Sequence, residues 1–210
     1  LDWGHYRDEY GNIGRLDLIL ESENDSTNRY KLAKQPDVVM LVYLLGRDGL
    51  RKQLAALGYP FSEADLVRTV NYYLTRTANG STLSRVVNAS VLAGIDPARS
   101  WIAFREALIA DLDDSQGGTT REGIHLGAMA GTVDLPVRSF AGMTVGDDEL
   151  TFAPQLPPHL TRVAFQVRYR DHLLDVTLGR SGLELHAHPT TAPVIRLRVG
   201  SDGGQLSAGE

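Results

Sequence analysis

The residues best placed to do chemistry stand at three predicted helix starts: Lys34-Gln35-Pro36, Gly80-Ser81-Thr82 and Gly117-Gly118-Thr119-Thr120. A helix start carries unpaired N–H groups and the positive end of the macrodipole, so it can hold an anion or sugar hydroxyls. If antiparallel helix pairs present one end to the same side, alternate starts converge on a single pocket. Lys34 adds a full charge there, and Gln35, Ser81 and Thr82 add hydrogen-bonding partners. Glu122 and His125 are three residues apart, which on a helix puts them on one face. Glu122 could act on a water or hold a sugar hydroxyl, and His125 could donate to phosphate. The same residues also have plain structural readings. The three segments are ordinary caps, Glu122 is the capping-box partner of Thr119, and His125 is a core histidine between Ile124 and Leu126.

Other groupings carry less. His186 and His188 share one face of a predicted strand but lack a carboxylate partner for a metal, which favours an exposed strand end. Asp111, Asp113 and Asp114 lack the glycine and terminal glutamate of a calcium loop and read as a solvated loop. Trp3, Tyr6 and Tyr10 have rough helical spacing and read as packing before they read as a sugar platform. The sequence contains no P-loop, dinucleotide fingerprint or Gly-x-Ser-x-Gly elbow. No metal site is expected.

The elements that must position these groups change character along the chain. Before about residue 145 apolar residues recur at helical spacing, and after it they alternate as in strands. Pro36 and Asp37 suit the first turn of a helix through Val38 to Leu45, which is apolar nearly all round and is expected to be buried on most sides. Ser62-Glu63-Ala64-Asp65 reads as a cap feeding Leu66, Val67, Val70 and Leu74. Ser81 opens a helix with Leu83, Val86, Val87 and Val91 on one face. Asp96-Pro97 opens the next, with Trp101, Phe104 and Leu108 inward. Thr119 to Glu122 has capping-box spacing and predicts a fifth helix there. Later, Val163, Phe165, Val167 and Tyr169 alternate with polar neighbours. After a tight turn near Asp171-His172, Leu174, Val176 and Leu178 do the same, followed by strands through Leu183-Leu185 and Val194 to Val199. Strands so close in sequence predict antiparallel hairpins. The expected division is 1–144 helical, 145–200 β, and 201–210 a frayed, disordered tail.

Composition narrows the class. A chain of 210 residues with 42% hydrophobic residues can build a core without staples. A net charge of −5 argues against a nucleic-acid partner. No apolar run approaches the ~18 residues of a membrane span. Cysteine is absent, which fits a reducing, cytoplasmic location. The chain opens on Leu1 with no leader, and further sequence upstream is expected.

Lys34-Gln35-Pro36-Asp37-Val38 resembles the Lys-Gln-Ala-Asp-Val segment of glycoside hydrolase family 65, the maltose, trehalose and kojibiose phosphorylases and related hydrolases. Gly80 to Ser84 resembles its serine-rich segment, and Gly117 to His125 its Thr-x-Glu-Gly-Ile-His segment. The stretches Phe152 to Pro158 and Phe165 to Arg170 resemble its C-terminal β module. Each motif alone is weak, but together they stand in the family's order over most of the chain.

The resemblance implies a mainly α, then β, protein: part of an (α/α)6 toroid followed by a small antiparallel β-sandwich. It also implies an inverting enzyme in which a glutamic acid protonates the glycosidic oxygen while inorganic phosphate, a co-substrate and not a cofactor, attacks the anomeric carbon. On this pattern Lys34, Gln35 and Glu122 serve the sugar, and Ser81, Thr82 and His125 surround the phosphate. The substrate class is an α-linked glucose disaccharide of the trehalose or maltose type. Two departures stand out. The family's general acid lies further upstream than the 33 residues ahead of Lys34, and twelve helices with their connections need roughly 250 residues. About half a toroid is therefore expected, catalytically silent by itself and exposing apolar helix faces. Its expected partners are a second copy or the upstream part of the polypeptide. Asn79 also stands where phosphorylases of the family often carry histidine, which keeps an inverting hydrolase open. A non-catalytic carbohydrate-binding module is the third reading.

Overall fold

The computed structural model describes residues 1–115 and 118–209. Gln116, Gly117 and Glu210 lie outside it, and with them the first residue of the Gly117 to Thr120 segment. Seven α-helices occur among the described residues: α1 (Trp3–Tyr10), α2 (Leu16–Ser22), α3 (Asp37–Ala56), α4 (Glu63–Leu74), α5 (Thr82–Ala93), α6 (Pro97–Leu108) and α7 (Leu126–Leu135). Their starts follow local chemistry. Ser62 and Asp65 form a reciprocal capping box on α4, and Asp96 caps α6 with Pro97 behind it. Pro36 occupies the capping position of α3, one residue earlier than expected, so that Asp37 takes the first helical position. Helix α3 breaks at Gly46, whose φ is +67°.

Helix α5 is the hub. Nine of its twelve residues are buried. Val87 and Val91 join α3 and α4 through Val39, Val42, Leu50, Leu66 and Val70. Val86, Ala89 and Ala93 join α6 and α7 through Phe104, Ala107, Ala128 and Leu135. The helices alternate in direction. Glu63 at the start of α4 reaches back to Arg47 and Arg51 in the second half of α3. Glu106 near the end of α6 faces Arg85 near the start of α5 at 3.5 Å. Helix α7 runs the same way as α5, with Gly131 against Val86 and Ser139, just past the helix, bonded to Ser90.

Two expectations about burial change. Helix α3 is not buried on most sides: Leu41, Leu44 and Leu45 are 47, 65 and 45% exposed, because its neighbours α4 and α5 cover only the Val39–Val42 face. On α6 Phe104 is buried, while Leu108 is exposed.

The β part consists of β1 (Thr144–Val145), β2 (Glu149–Phe152), β3 (Arg162–Tyr169), β4 (His172–Gly179), β5 (Gly182–Ala187), β6 (Ile195–Val199) and β7 (Asp202–Leu206). They form two sheets, in the orders β1-β2-β6-β7 and β3-β4-β5. Leu150, Phe152, Ile195 and Leu197 from one sheet share a core with Tyr169, Leu174, Val176 and Leu178 from the other. The β3–β4 turn places Arg170 and Asp171 at φ +47° and +64°, the twist that two-residue hairpins favour. Two corrections follow. The first sheet is mixed, since β2 pairs with β6 in parallel; the two strands are far apart in sequence and need no hairpin. The segment 202–206 is a strand paired with β6, not a frayed end, because Gly200 at φ +58° turns the chain back and sets Leu206 opposite Ile195.

The joint between the two parts is tight. Gly142 has φ +64°, and a Cβ there would stand 2.1 Å from the carbonyl oxygen of Ala153. Gly142→Ala must therefore accept left-handed strain and move backbone. A loss of more than ~2 kcal/mol is expected in urea unfolding; an unchanged midpoint would show that the joint yields freely.

Candidate functional site

The first two helix starts are stitched together by backbone. The Ala33 N–H donates to the Arg76 carbonyl at 2.8 Å and the Ala78 N–H donates to the Ala33 carbonyl at 2.9 Å, a short parallel bridge between Ala33 and Thr77. Lys34 and Gln35 thus run beside Ala78, Asn79 and Gly80. Gln35 is exposed. Lys34 Nζ lies 3.0 Å from the Asp17 carboxylate, which also takes Arg15 at 3.1 Å. The Arg15 hydrogen bond, aided by Lys34 and working against partial burial, holds the Asp17 carboxyl well below the usual carboxylate range.

The start of α5 is pinned from the other side. A Cβ on Gly80 would stand 2.1 Å from the Gly14 carbonyl oxygen, so only glycine allows the 11–15 loop to lie this close. Ser81 is the cap, its Oγ accepting from the Leu83 N–H at 3.3 Å. Thr82, expected to face phosphate, is only 3% exposed and so turns inward. Asn79 is in the left-handed region at φ +54°. Its amide donates to the Thr77 carbonyl, and its Oδ1 accepts from Asn88 at 3.1 Å.

The third start departs from expectation. Thr119–Glu122 is a 3-10 turn that ends at Gly123, φ +141°, and α7 begins only at Leu126. No capping box forms there, and Glu122 and His125 do not share a helical face. Glu122 is exposed on the turn. His125 is placed by Asp111. The Asp111 carboxylate accepts the His125 backbone N–H at 2.9 Å, faces His125 Nδ1 at 2.5 Å and accepts Thr120 Oγ1–H at 3.2 Å. Its side chain is 8% exposed. His125 Nε2 lies 3.3 Å from Thr119 Oγ1, and Asp114 accepts the Thr120 N–H. The hydrogen bond from His125, and then those from the backbone and Thr120, keep the Asp111 carboxyl below its ordinary value.

Two of the acids read as a solvated loop, Asp111 and Asp114, therefore clamp the 119–125 turn. Their partners lie across a loop, so periodicity gives no sign of them. The available signal is chemical: carboxylates just ahead of a Gly-Thr-Thr turn, whose amides need acceptors.

Because α5 and α7 run the same way and α3 begins at the Ala33–Thr77 bridge, all three starts gather at one end of the helices. A cleft of about 740 Å³ opens beside the start of α5, lined by Arg7, Arg15, Asn79, Gly80, Arg85, Asn88 and Glu106 among others, and by none of Lys34, Gln35, Ser81, Thr82, Glu122 or His125. The weaker groupings stay elsewhere. His188 Nε2 lies 2.8 Å from Asp175 across the β4–β5 pair. Tyr6 and Tyr10 stack at 5.9 Å and donate to Glu23 at 2.5 and 2.6 Å. The described residues contain no group of three or more His, Asp or Glu able to hold a metal ion, and no helix among them is long and apolar enough to cross a membrane.

Residues 1–134 match the glycosyl hydrolase family 65 central catalytic domain, and residues 143–201 match the family's C-terminal domain. The chain belongs to glycosyl hydrolase family 65. Its helical part is a portion of the family's (α/α)6 catalytic domain. An uncharacterized glycosyl hydrolase of Mycobacterium tuberculosis is 46% identical over 209 residues, covering all of this chain and 16% of the relative. Trehalose 6-phosphate phosphorylase of Lactococcus lactis is 34% identical over 212 residues, again covering all of this chain and 27% of the relative. A solved structure of a putative kojibiose phosphorylase from the human microbiome superposes with a TM-score of 0.69 at 24% identity, covering 85% of this chain and 24% of that one. This family 65 chain thus spans between a sixth and about a quarter of the length of these relatives.

The lowered Asp111 value sets a pH dependence. A depressed carboxyl contributes stability in full above the ordinary value near ~4 and loses it as pH falls through the lowered value. Asp111→Asn is expected to lower Tm at pH 7, with the gap to the parent closing only as pH falls below about 4. A gap that ignores pH would mean that the negative charge is not what holds the loop.

Proposed function

We propose that this chain supplies the phosphate-side half of the active site in a longer inverting α-glucoside phosphorylase, acting on an α-linked glucose disaccharide of the trehalose or maltose type. What supports the reading is that the Lys34 segment is bridged to residues 76–78, just ahead of the Ser81-capped start of α5, while α7, which follows the Asp111-held His125, runs along α5 in the same direction. The names of the relatives, the trehalose 6-phosphate phosphorylase above all, support the same class.

On this reading phosphate sits at the start of α5 beside Ser81, with the Ser81 hydroxyl and the His125 ring as partners. Asp111 fixes the ring so that Nδ1 faces the carboxylate and Nε2 faces the ligand side. Lys34, Gln35 and the exposed Glu122 serve the glucosyl unit. A phosphate oxygen forms the new bond to the anomeric carbon as the glycosidic C–O bond breaks, and a carboxylic acid protonates the departing oxygen. We assign that acid to the remainder of the longer protein and to no residue of these 210. The apolar residues exposed on α3 and at the start of α7, Leu44 and Leu126 among them, are then covered by that remainder.

Inverting hydrolysis is the second reading. Asn79, a neutral side chain tied to Thr77 and Asn88, adds no positive charge for phosphate.

The longer protein, given disaccharide and phosphate, is expected to release β-glucose 1-phosphate, followed by NMR. His125→Ala is expected to cut that rate at least ~100-fold. Free glucose alone, formed at a rate indifferent to phosphate, would replace this reading with hydrolysis.

A further inference from the structure

Asp111 fixes more than the position of the His125 ring. Its carboxylate accepts the His125 backbone N–H on Oδ2 at 2.9 Å and the Thr120 hydroxyl on Oδ1 at 3.2 Å, and Oδ1 lies 2.5 Å from His125 Nδ1. A backbone N–H can only donate, so the group beneath the ring is an acceptor. Its hydrogen bonds also hold it below its ordinary value, and an ionised carboxylate has no proton to give. Two bare acceptors would repel at this distance, so the shared proton sits on Nδ1.

The consequence lies at the other ring nitrogen. A neutral imidazole has one N–H, and with that proton committed to Asp111 the lone pair is on Nε2. Nε2 meets the Thr119 hydroxyl at 3.3 Å, a group able to donate to it. The His125 side chain is 29% exposed against 8% for Asp111, so the ring, not the carboxylate, is what a ligand can reach. A histidine held this way accepts a hydrogen bond from an acidic O–H. Hydrogen phosphate, a dianion that keeps one P–O–H, offers that group.

We infer that His125 Nε2 accepts the proton of the attacking phosphate, and that Asp111 is the positioning residue that keeps Nε2 bare for it. This rests on the phosphorylase reading and specifies which form of phosphate the site selects. An oxygen of hydrogen phosphate bonds to the anomeric carbon as the glycosidic C–O bond breaks. The acid in the remainder of the protein protonates the departing sugar oxygen. The phosphate proton passes to Nε2, and the imidazolium beside Asp111 gives it up through solvent to the spent acid. A phosphate dianion enters, a sugar phosphate dianion leaves, and the released sugar carries the proton.

The test compares phosphate with sulfate, a dianion of the same shape that carries no proton, by calorimetry on the longer protein at ~pH 8. Phosphate is expected to bind at least ~10-fold more tightly than sulfate, because only phosphate has an O–H for the bare nitrogen. In Asp111→Asn the single amide oxygen goes to the His125 backbone N–H, so the NH2 faces Nδ1 and the ring proton moves to Nε2. That variant is expected to bind the two anions equally and to lose at least ~100-fold in kcat, the cost of a wrong tautomer. A purely structural role for Asp111 would weaken both anions alike and leave their ratio unchanged. His125→Ala is expected to weaken phosphate at least ~10-fold and sulfate not at all, which carries the test if Asp111→Asn does not fold. A preference for phosphate kept in either variant would overturn the inference. Equal affinities in the parent, alongside phosphate-dependent turnover, would overturn it and leave the phosphorylase reading standing. Turnover indifferent to phosphate would remove both.

Discussion

Helix α5 has almost no free surface, and its placement constrains the rest of the molecule. Its two apolar faces are built of valine and alanine and point into two different clusters. Close packing on both sides leaves no room for it to slide or rotate, because any shift would open voids in two cores at once. Its first turn is therefore a fixed object. The 11–15 loop rests against it at Gly80, and the Ala33–Thr77 bridge hangs the start of α3 from the segment just before it. Helix α7 lies along it in the same direction. A fixed middle helix thus holds the approach to α3 and the neighbouring α7 in set positions.

The polar groups at that surface are held by carboxylates rather than by the helices alone. Asp17 collects Arg15 and Lys34, and Asp111 collects His125 and Thr120. Each pairing removes a long or rotatable side chain from free motion before a ligand arrives, which lowers the ordering cost of binding.

Much of this could be read from the chain. The capping box of α4, the Asp96-Pro97 start, the Ser81 cap and the alternation through β3, β4 and β5 are local signals, and local hydrogen bonds or side-chain alternation decide such elements. The family resemblance also singled out Lys34, Ser81 and His125 as candidates, and their roles belong to the function proposed above. What could not be read involved partners far apart in sequence or competition between local forms. The Thr119–Glu122 stretch has the letters of a capping box, yet Asp111 and Asp114 take its donors and Gly123 stops the turn from growing into a helix. The apolar run of α3 said nothing about which neighbours would be present to cover it.

The sequence by itself determined the order of elements, helices before about residue 145 and strands after, and the family to which the chain belongs, because periodicity, caps and motif order are properties of the chain read one stretch at a time. Only the tertiary structure decided that Asp111 belongs to His125, that Thr82 faces inward while Ser81 stays at the rim, and that β2 runs parallel to β6. Those facts depend on close approaches between residues many positions apart, and spacing along a chain does not encode which side chains packing will bring into contact.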